Sequence, residues 1–406
     1  MIESYLLQNR ADRRILFVDL NAFFASCEQA EDRQLWHRPV IVVPSQGSSA
    51  ISVSYEAKVY GIRVGTSERE ARFLCPGLVV RQARPKLYMD YHARFVALLE
   101  QISPRLTVRS VDEASLLLFQ NEDPWQLSRT IKQQIWRHFG SVVNCSIGIA
   151  PNVFLAKLAT ELQKPNGLIE LRLSDLPAIY GKVQLRDLCG INFRMERRLQ
   201  RLGIYSVAAF YMADPALLKR ELGVLGYRWW LQLHGYEAEF ARSGRKSLSH
   251  SHVLPPEARS IEAAYGTLQR LTAKVGRRLR KNGCLAGRIN LSIRFTDRTF
   301  WFAGRRITPC HDSLTLSHHL KQLWQLANPS QPILKLSIWT TDLADARGIS
   351  QPLFPAQQRR LSMARALDKI NDRYGADTIR FAIADMAGSR APDRIAFSAL
   401  FPIEHE

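Results

Sequence analysis

Apolar residues along this chain recur at two spacings, and the switches between them predict its elements. Ile15-Leu16-Phe17-Val18-Asp19-Leu20 is a short, almost continuous apolar run and reads as a buried strand. Brief strand candidates follow at 40–43 and 50–54. Tyr88, Tyr91, Phe95, Leu98 and Ile102 then recur every three or four residues, the spacing of one helical face. Apolar runs at 106–111 and 114–119 flank an acidic pair. Leu127, Ile131, Ile135 and Phe139 mark a second helix, and 142–149 a closing strand. Leaving 21–84 aside as an insertion, the order is strand, helix, strand, strand, helix, strand. That order suits an α+β ferredoxin-like layer, with helices covering an antiparallel sheet.

The same order recurs towards the C-terminus. Strands are expected at 248–254, 289–295, 300–307 and 334–343, with helices through Leu268, Leu271, Val275 and Leu279 and across 314–326. Residues 171–241 read as short helices, 235–247 is charged and without periodicity, and 361–374 is an amphipathic helix.

With 406 residues the chain exceeds one core and implies two to four domains, and 46% hydrophobic residues allow sizeable cores. No apolar stretch reaches the roughly 18 residues of a membrane span, and residues 1–14 lack the hydrophobic centre of a secretory signal. The expectation is a cytoplasmic monomer with no membrane partner. Six scattered cysteines without a C-x-x-C pair argue against structural zinc and a disulfide framework.

Charge changes the picture. The formal net charge is +19, and residues 242–310 hold fifteen Lys or Arg against three Asp or Glu. These basic positions spread over an expected linker, a helix and two strands, which suits a phosphate backbone better than a single solvated helix face. Against that surplus, Asp19 ends one apolar strand, and Asp112 and Glu113 follow another. Acid concentrated at strand ends in a basic protein points to divalent cations held against a polyanion. Adjacent strand side chains face opposite ways, so Asp112 and Glu113 can share a site only where a bend breaks the alternation. With Asp19 they could then hold two Mg²⁺ roughly 3.5–4 Å apart.

These residues carry a resemblance. Phe17-Val18-Asp19-Leu20-Asn21-Ala22-Phe23-Phe24-Ala25-Ser26-Cys27-Glu28, Ser110-Val111-Asp112-Glu113-Ala114, and Ala150-Pro151-Asn152 through Lys164-Pro165-Asn166-Gly167 resemble the three motifs of the Y-family, translesion DNA polymerases. The likeness extends through Tyr55-Glu56-Ala57-Lys58, Tyr60-Gly61-Ile62-Arg63, Lys246-Ser247 and the segment 368–375, so it spans nearly the whole chain. It implies Asp19 and Asp112 as metal ligands, Glu113 as the third catalytic carboxylate, and the Leu20 carbonyl as a backbone ligand. Phe23, Phe24, Tyr55, Lys58 and Lys164 fall at nucleotide-binding positions, with Phe24 as the steric gate against a 2′-hydroxyl. Lys58 stands where the family usually has Arg, and Ser115 and Leu117 replace an aromatic and an acid, which bears on efficiency more than on reaction type.

Leu188-Cys189-Gly190-Ile191-Asn192 followed by 197–204 resembles a helix-hairpin-helix. Gly190 and Asn192 would aim backbone N–H groups at a DNA phosphate, and Asn192, where a second Gly is usual, tolerates positive φ. Ser350-Gln351-Pro352-Leu353-Phe354 resembles a degenerate sliding-clamp peptide, with Gln351, Leu353 and Phe354 as contacts; an ordinary Leu-Phe in a Pro-bounded loop fits as well.

The resemblance implies a right-hand polymerase: palm 1–22 and 85–170, fingers 23–84, helical thumb 171–241, linker 242–246, an α+β little finger 247–345, and a tail 346–406. DNA contacts are expected from Lys246, Lys274, Arg277, Arg278, Arg294, Arg298, Arg305 and Arg306. The partners are primer-template DNA, a dNTP and a sliding clamp; the chemistry is two-Mg²⁺ nucleotidyl transfer at low fidelity in DNA damage tolerance. The tail leans towards the polymerase V catalytic subunit, the basic domain towards polymerase IV. Two other classes fit less of the chain: a non-catalytic relative that binds DNA and proteins, which should lose the acids kept here, and a nucleotide cyclase on a similar palm, which needs no thumb or basic domain.

Overall fold

The computed structural model describes residues 14–45, 47–238, 246–348, 354–375 and 378–382. The chain divides into two units, one formed by residues 1–240 with 394–406 and the other by residues 241–393.

The first unit begins with β1 (Ile15–Leu20) and α1 (Phe23–Glu31). A small lobe follows: β2 (Val40–Val43), β3 (Ser52–Val53), α2 (Tyr55–Lys58), α3 (Glu68–Leu74) and β4 (Val79–Gln82). Then come α4 (Pro85–Ile102), β5 (Leu106–Val108), β6 (Glu113–Leu117), α5 (Pro124–Phe139), β7 (Cys145–Ala150), α6 (Val153–Leu162) and β8 (Leu168–Glu170). The main sheet is ordered β5-β6-β1-β7-β8, so its first four strands have the ferredoxin-like arrangement that the periodicity predicts. All six residues of β1 are buried, because both faces of the central strand are covered. Leu16, Val18 and Leu20 pack with α1, α4 and α5, whereas Ile15 and Phe17 pack with α6 and the helices beyond it.

That alternation places Asp19 on the Ile15 side, facing α6. Residues 23–31, grouped with the fingers in the sequence reading, form α1, and Phe23, Phe24, Ala25 and Cys27 belong to the core around β1. The lobe has a core of its own, with Ile41, Val53, Ala57, Ile62 and Leu78.

α1 and α4 are joined by a buried acid. Glu28, with a side chain 1% exposed, takes Arg84 Nη2 at 2.6 Å and Nε at 3.0 Å, and the Tyr88 hydroxyl donates to it at 2.7 Å. Glu28→Ala is expected to lower stability by about 2–3 kcal/mol in urea unfolding, through the unpaired Tyr88 hydroxyl and the void, since half-exposed Arg84 regains water. Glu28→Gln, which keeps the shape, should lose less; equal losses would show that charge, not packing, dominates.

Five short helices complete the unit: α7 (Leu176–Tyr180), α8 (Phe193–Arg201), α9 (Val207–Met212), α10 (Pro215–Leu222) and α11 (Val224–Leu233). They share one core with α6 and β1. Asn152 caps α6 by accepting from Leu155 N at 2.8 Å, and its amide donates to the carbonyls of Gln232 at 2.8 Å and Tyr236 at 2.9 Å. The cap thereby ties α6 to the end of α11.

The second unit is β9 (Leu248–Val253), α12 (Ile261–Lys281), β10 (Cys284–Phe295), β11 (Phe300–Cys310), α13 (Ser313–Ala327), β12 (Ile333–Asp345) and α14 (Pro355–Tyr374). Its element order repeats that of β1, α4, β5, β6, α5 and β7, but its sheet is β11-β10-β12-β9, in which the last strand rather than the first is central. Ile289, Leu291 and Ile293 face α12 and α13. Helix α14 starts six residues before the expected 361 and binds α12: Asp368 takes Arg280 Nε at 2.5 Å and Nη2 at 2.8 Å, and Asp372 takes Arg277.

Candidate active site

Asp19 and Glu113 are direct cross-strand partners in the β1–β6 register. Facing residues of an antiparallel pair lie on one side of the sheet, so both carboxyls stand beside α6. Residues 110–112 form a bend before β6 begins, which supplies the break in alternation that a shared site requires. The Leu20 amide donates to the Asp112 carbonyl at 2.9 Å, and the Ser110 hydroxyl donates to Asp112 Oδ1 at 2.6 Å. Burial, with added repulsion from Asp19 and Glu113, pushes the Asp112 carboxyl up to about 6.

The sequence reading passed over two residues here, Lys157 and Glu161 on α6. Lys157 Nζ binds Asp19 Oδ2, Glu113 Oε1 at 2.8 Å and Glu161 Oε1 at 2.8 Å. Lys164 Nζ reaches the same Asp19 oxygen at 3.0 Å and Glu161 at 2.7 Å. Burial pulls the Lys157 pKa down, but Asp19, Glu113 and Glu161 outweigh it and hold it well above the ordinary lysine value. The signal was present: Lys157 and Glu161 interrupt an otherwise largely apolar helix at the i, i+4 spacing at which helical side chains meet, and Lys164 follows just past the helix end.

Tyr55 and Lys58 join the cluster from α2. Lys58 Nζ lies 3.8 Å from the Tyr55 ring centroid. Burial first, then the negative charge of Asp19 and Glu161, push the Tyr55 hydroxyl up to about 12. Burial and the nearby Lys164 charge lower the Lys58 pKa. Below them, Phe24 is 3% exposed and stacks on Tyr88 with centroids 4.4 Å apart and planes at 18°. Phe23, also 3% exposed, packs beside it at 5.5 Å.

Oxygen donors that crowd like charge suit a hard divalent cation, and in that sense Asp19, Asp112 and Glu113 fit Mg²⁺. As the side chains stand, no group of three His, Cys, Asp or Glu among the described residues is gathered to hold a metal ion. The place between Asp19 and Glu113 is taken by the Lys157 ammonium.

A cleft of about 740 Å³ runs from Lys157 and Glu161 to the loop 188–192. Gly190 has φ +87°, and a Cβ there would come within 3.3 Å of Trp229. Asn192 corrects the expectation for it. Its φ is −93°, and its side chain caps α8 by accepting from Arg194 N at 3.0 Å and Met195 N at 3.1 Å. A capping oxygen, not tolerance of positive φ, explains asparagine there.

Residues 18–161 match the model of the impB/mucB/samB family, and residues 245–353 that of the impB/mucB/samB family C-terminal domain. DNA polymerase IV of Moorella thermoacetica is 32% identical over 394 residues, 92% of this chain and 96% of its own. DNA polymerase IV of Pelotomaculum thermopropionicum is 28% identical over 387 residues, 91% and 95% of the two chains. The chain belongs to the Y-family of DNA polymerases. A solved Y-family DNA polymerase chimera shares the fold, with a TM-score of 0.69 at 22% identity, over 81% of this chain and 99% of that one.

Within this Y-family chain, the expected DNA contacts of the second unit separate. Arg294 and Arg306 are exposed and lie on the sheet face opposite the helices, together with Phe300 and Phe302, 63% and 65% exposed. Arg298 is exposed in the β10–β11 turn, and Lys246 is exposed before β9. The others are on the helical side, where they meet protein: Arg277 is bound by Asp372, Arg278 donates to the Ser249 carbonyl at 2.9 Å, Arg305 is bound by Gln322, and Lys274 lines the groove under α14. Gln351 and Leu353 lie outside the described residues, while Phe354 is 69% exposed at the start of α14. Among the described residues, no helix is long and apolar enough to cross a membrane.

Lys58→Arg is expected to leave kcat/KM for nucleotide incorporation unchanged or raised. An arginine fork can stack on Tyr55 and keeps its charge despite Lys164. A large loss in steady-state kinetics would contradict a phosphate-binding role for this position.

Proposed function

We propose that this Y-family chain is a template-directed translesion DNA polymerase that adds dNTPs to a primer 3′-OH at low fidelity. The observation that carries the reading is the cross-strand pair Asp19 and Glu113 with Asp112 at the adjoining bend, ringed by Tyr55, Lys58, Lys157 and Lys164. Asp19 and Asp112, with Glu113 and the Leu20 carbonyl, would hold two Mg²⁺. When bound, these ions supply positive charge that makes the primer hydroxyl more acidic and offsets charge on the departing pyrophosphate.

The chain's own residues do the rest. Lys58 and Lys164 would take the triphosphate oxygens and Tyr55 would orient them. Phe24, backed by Tyr88, would lie against the sugar and exclude a 2′-hydroxyl by size. The loop at Gly190 would present amides to a phosphate along the cleft that leads to Lys157. Arg294, Arg298 and Arg306 would hold the duplex by charge, so binding should weaken steeply with salt. Primer extension with Mg²⁺ on intact and abasic templates tests the reading; no extension by the wild-type protein on either template would sink it.

A further inference from the structure

We infer that Lys157 is the resident counter-ion of the acidic cluster, and that its ammonium and a divalent cation compete for one place between Asp19 and Glu113. The inference rests on the metal reading above and goes beyond it by giving the metal-free site a defined occupant.

Lys157 forms ion pairs with three carboxylates, Asp19, Glu113 at 2.8 Å and Glu161 at 2.8 Å, and its ammonium donates hydrogen bonds to Asp19 and Glu161. Two of these acids are the cross-strand pair on β1 and β6. The third lies one turn along the same helix. The base of the lysine is fixed, because α6 is held by the buried Leu155, Ala156, Leu158 and Ala159 and by the Asn152 cap, so only the side chain can move the ammonium. A cation entering between Asp19 and Glu113 therefore meets a positive charge already in place. It can enter once the ammonium turns away, and Glu161, four residues on and also bound to Lys164, remains as the acceptor that keeps it. The exchange weakens metal binding in the absence of nucleotide, and it spares the metal-free protein the repulsion of unneutralised carboxylates.

Lys164 provides the control, since it too touches Asp19, at 3.0 Å, but has no contact with Glu113 among its ion pairs. General electrostatics would make Lys157→Met and Lys164→Met equivalent. Competition for one place makes them differ. Mn²⁺ binding to the full, nucleotide-free chain, followed by electron paramagnetic resonance, is expected to be on the order of tenfold tighter in Lys157→Met and to change by no more than about threefold in Lys164→Met. Melting in chelator should fall for Lys157→Met and be restored by Mn²⁺. Lys157→Gln gives the same comparison if the methionine variant does not fold. Equal Mn²⁺ affinities for the Lys157 and Lys164 variants overturn the inference. If Asp19→Asn abolishes Mn²⁺ binding in that case, the metal reading stands without it; if wild type binds no Mn²⁺, both fall.

Discussion

Asp112→Asn is expected to cut primer extension by roughly 10³-fold, about 4 kcal/mol of transition-state stabilisation, while the protein stays folded. Asparagine keeps the shape and the oxygen that accepts from Ser110 at 2.6 Å, so the bend at 110–112 should persist. What disappears is a charge. In the metal-free protein that charge is a burden, because burial opposes it and Asp19 and Glu113 repel it. The variant should therefore melt higher than wild type in chelator, by about 1–2 kcal/mol of added stability. The order should reverse in Mg²⁺, where wild type gains stability from the ion and the variant gains little. Scanning calorimetry under both conditions separates a catalytic carboxylate from a merely structural one. Unchanged extension by Asp112→Asn would remove it from the chemistry.

Phe24→Ala should collapse the preference for deoxyribonucleotides over ribonucleotides by about 10²-fold, because the proposed barrier is one of size. The wall is stiff for reasons visible in three layers. Phe24 stacks on Tyr88 at 4.4 Å, Tyr88 donates its hydroxyl to Glu28, and Glu28 is clasped by Arg84. A ring backed in this way cannot swing away from an added hydroxyl. Removing it also opens the core around β1, at a cost of about 3–5 kcal/mol, so Phe24→Leu is the useful companion. Leucine keeps most of the packing and should give an intermediate preference. The size argument fails if both variants discriminate as well as wild type in single-nucleotide insertion kinetics.

Much of the main sheet and its helices in the first unit was legible because their core-facing residues are periodic. β1, α4, α5 and β7 fall where the apolar spacing puts them. The lobe was harder to read. β4 has no fully buried residue, and the short α3 buries only Ala71, so neither leaves an apolar stripe. β10 begins at Cys284, five residues before the expected start, because its first half mixes Gly287 and Arg288 among the core residues.

The sequence by itself determined that acids end two strands, that a bend must separate Asp112 from Glu113, and that a basic region lies apart from them. Motif and pattern suffice there, because strand alternation and charge are local properties. Tertiary structure decided who meets whom. Asp19 and Glu113 are 94 positions apart and become neighbours through strand register, while Lys157 reaches both from a helix laid across the sheet. Charge count could not foresee that Asp368 and Asp372 would bind Arg280 and Arg277, leaving Arg294 and Arg306 on the open face. A side chain's sign is written in the sequence, but whether that charge faces water, nucleic acid or another carboxylate depends on which faces the fold covers.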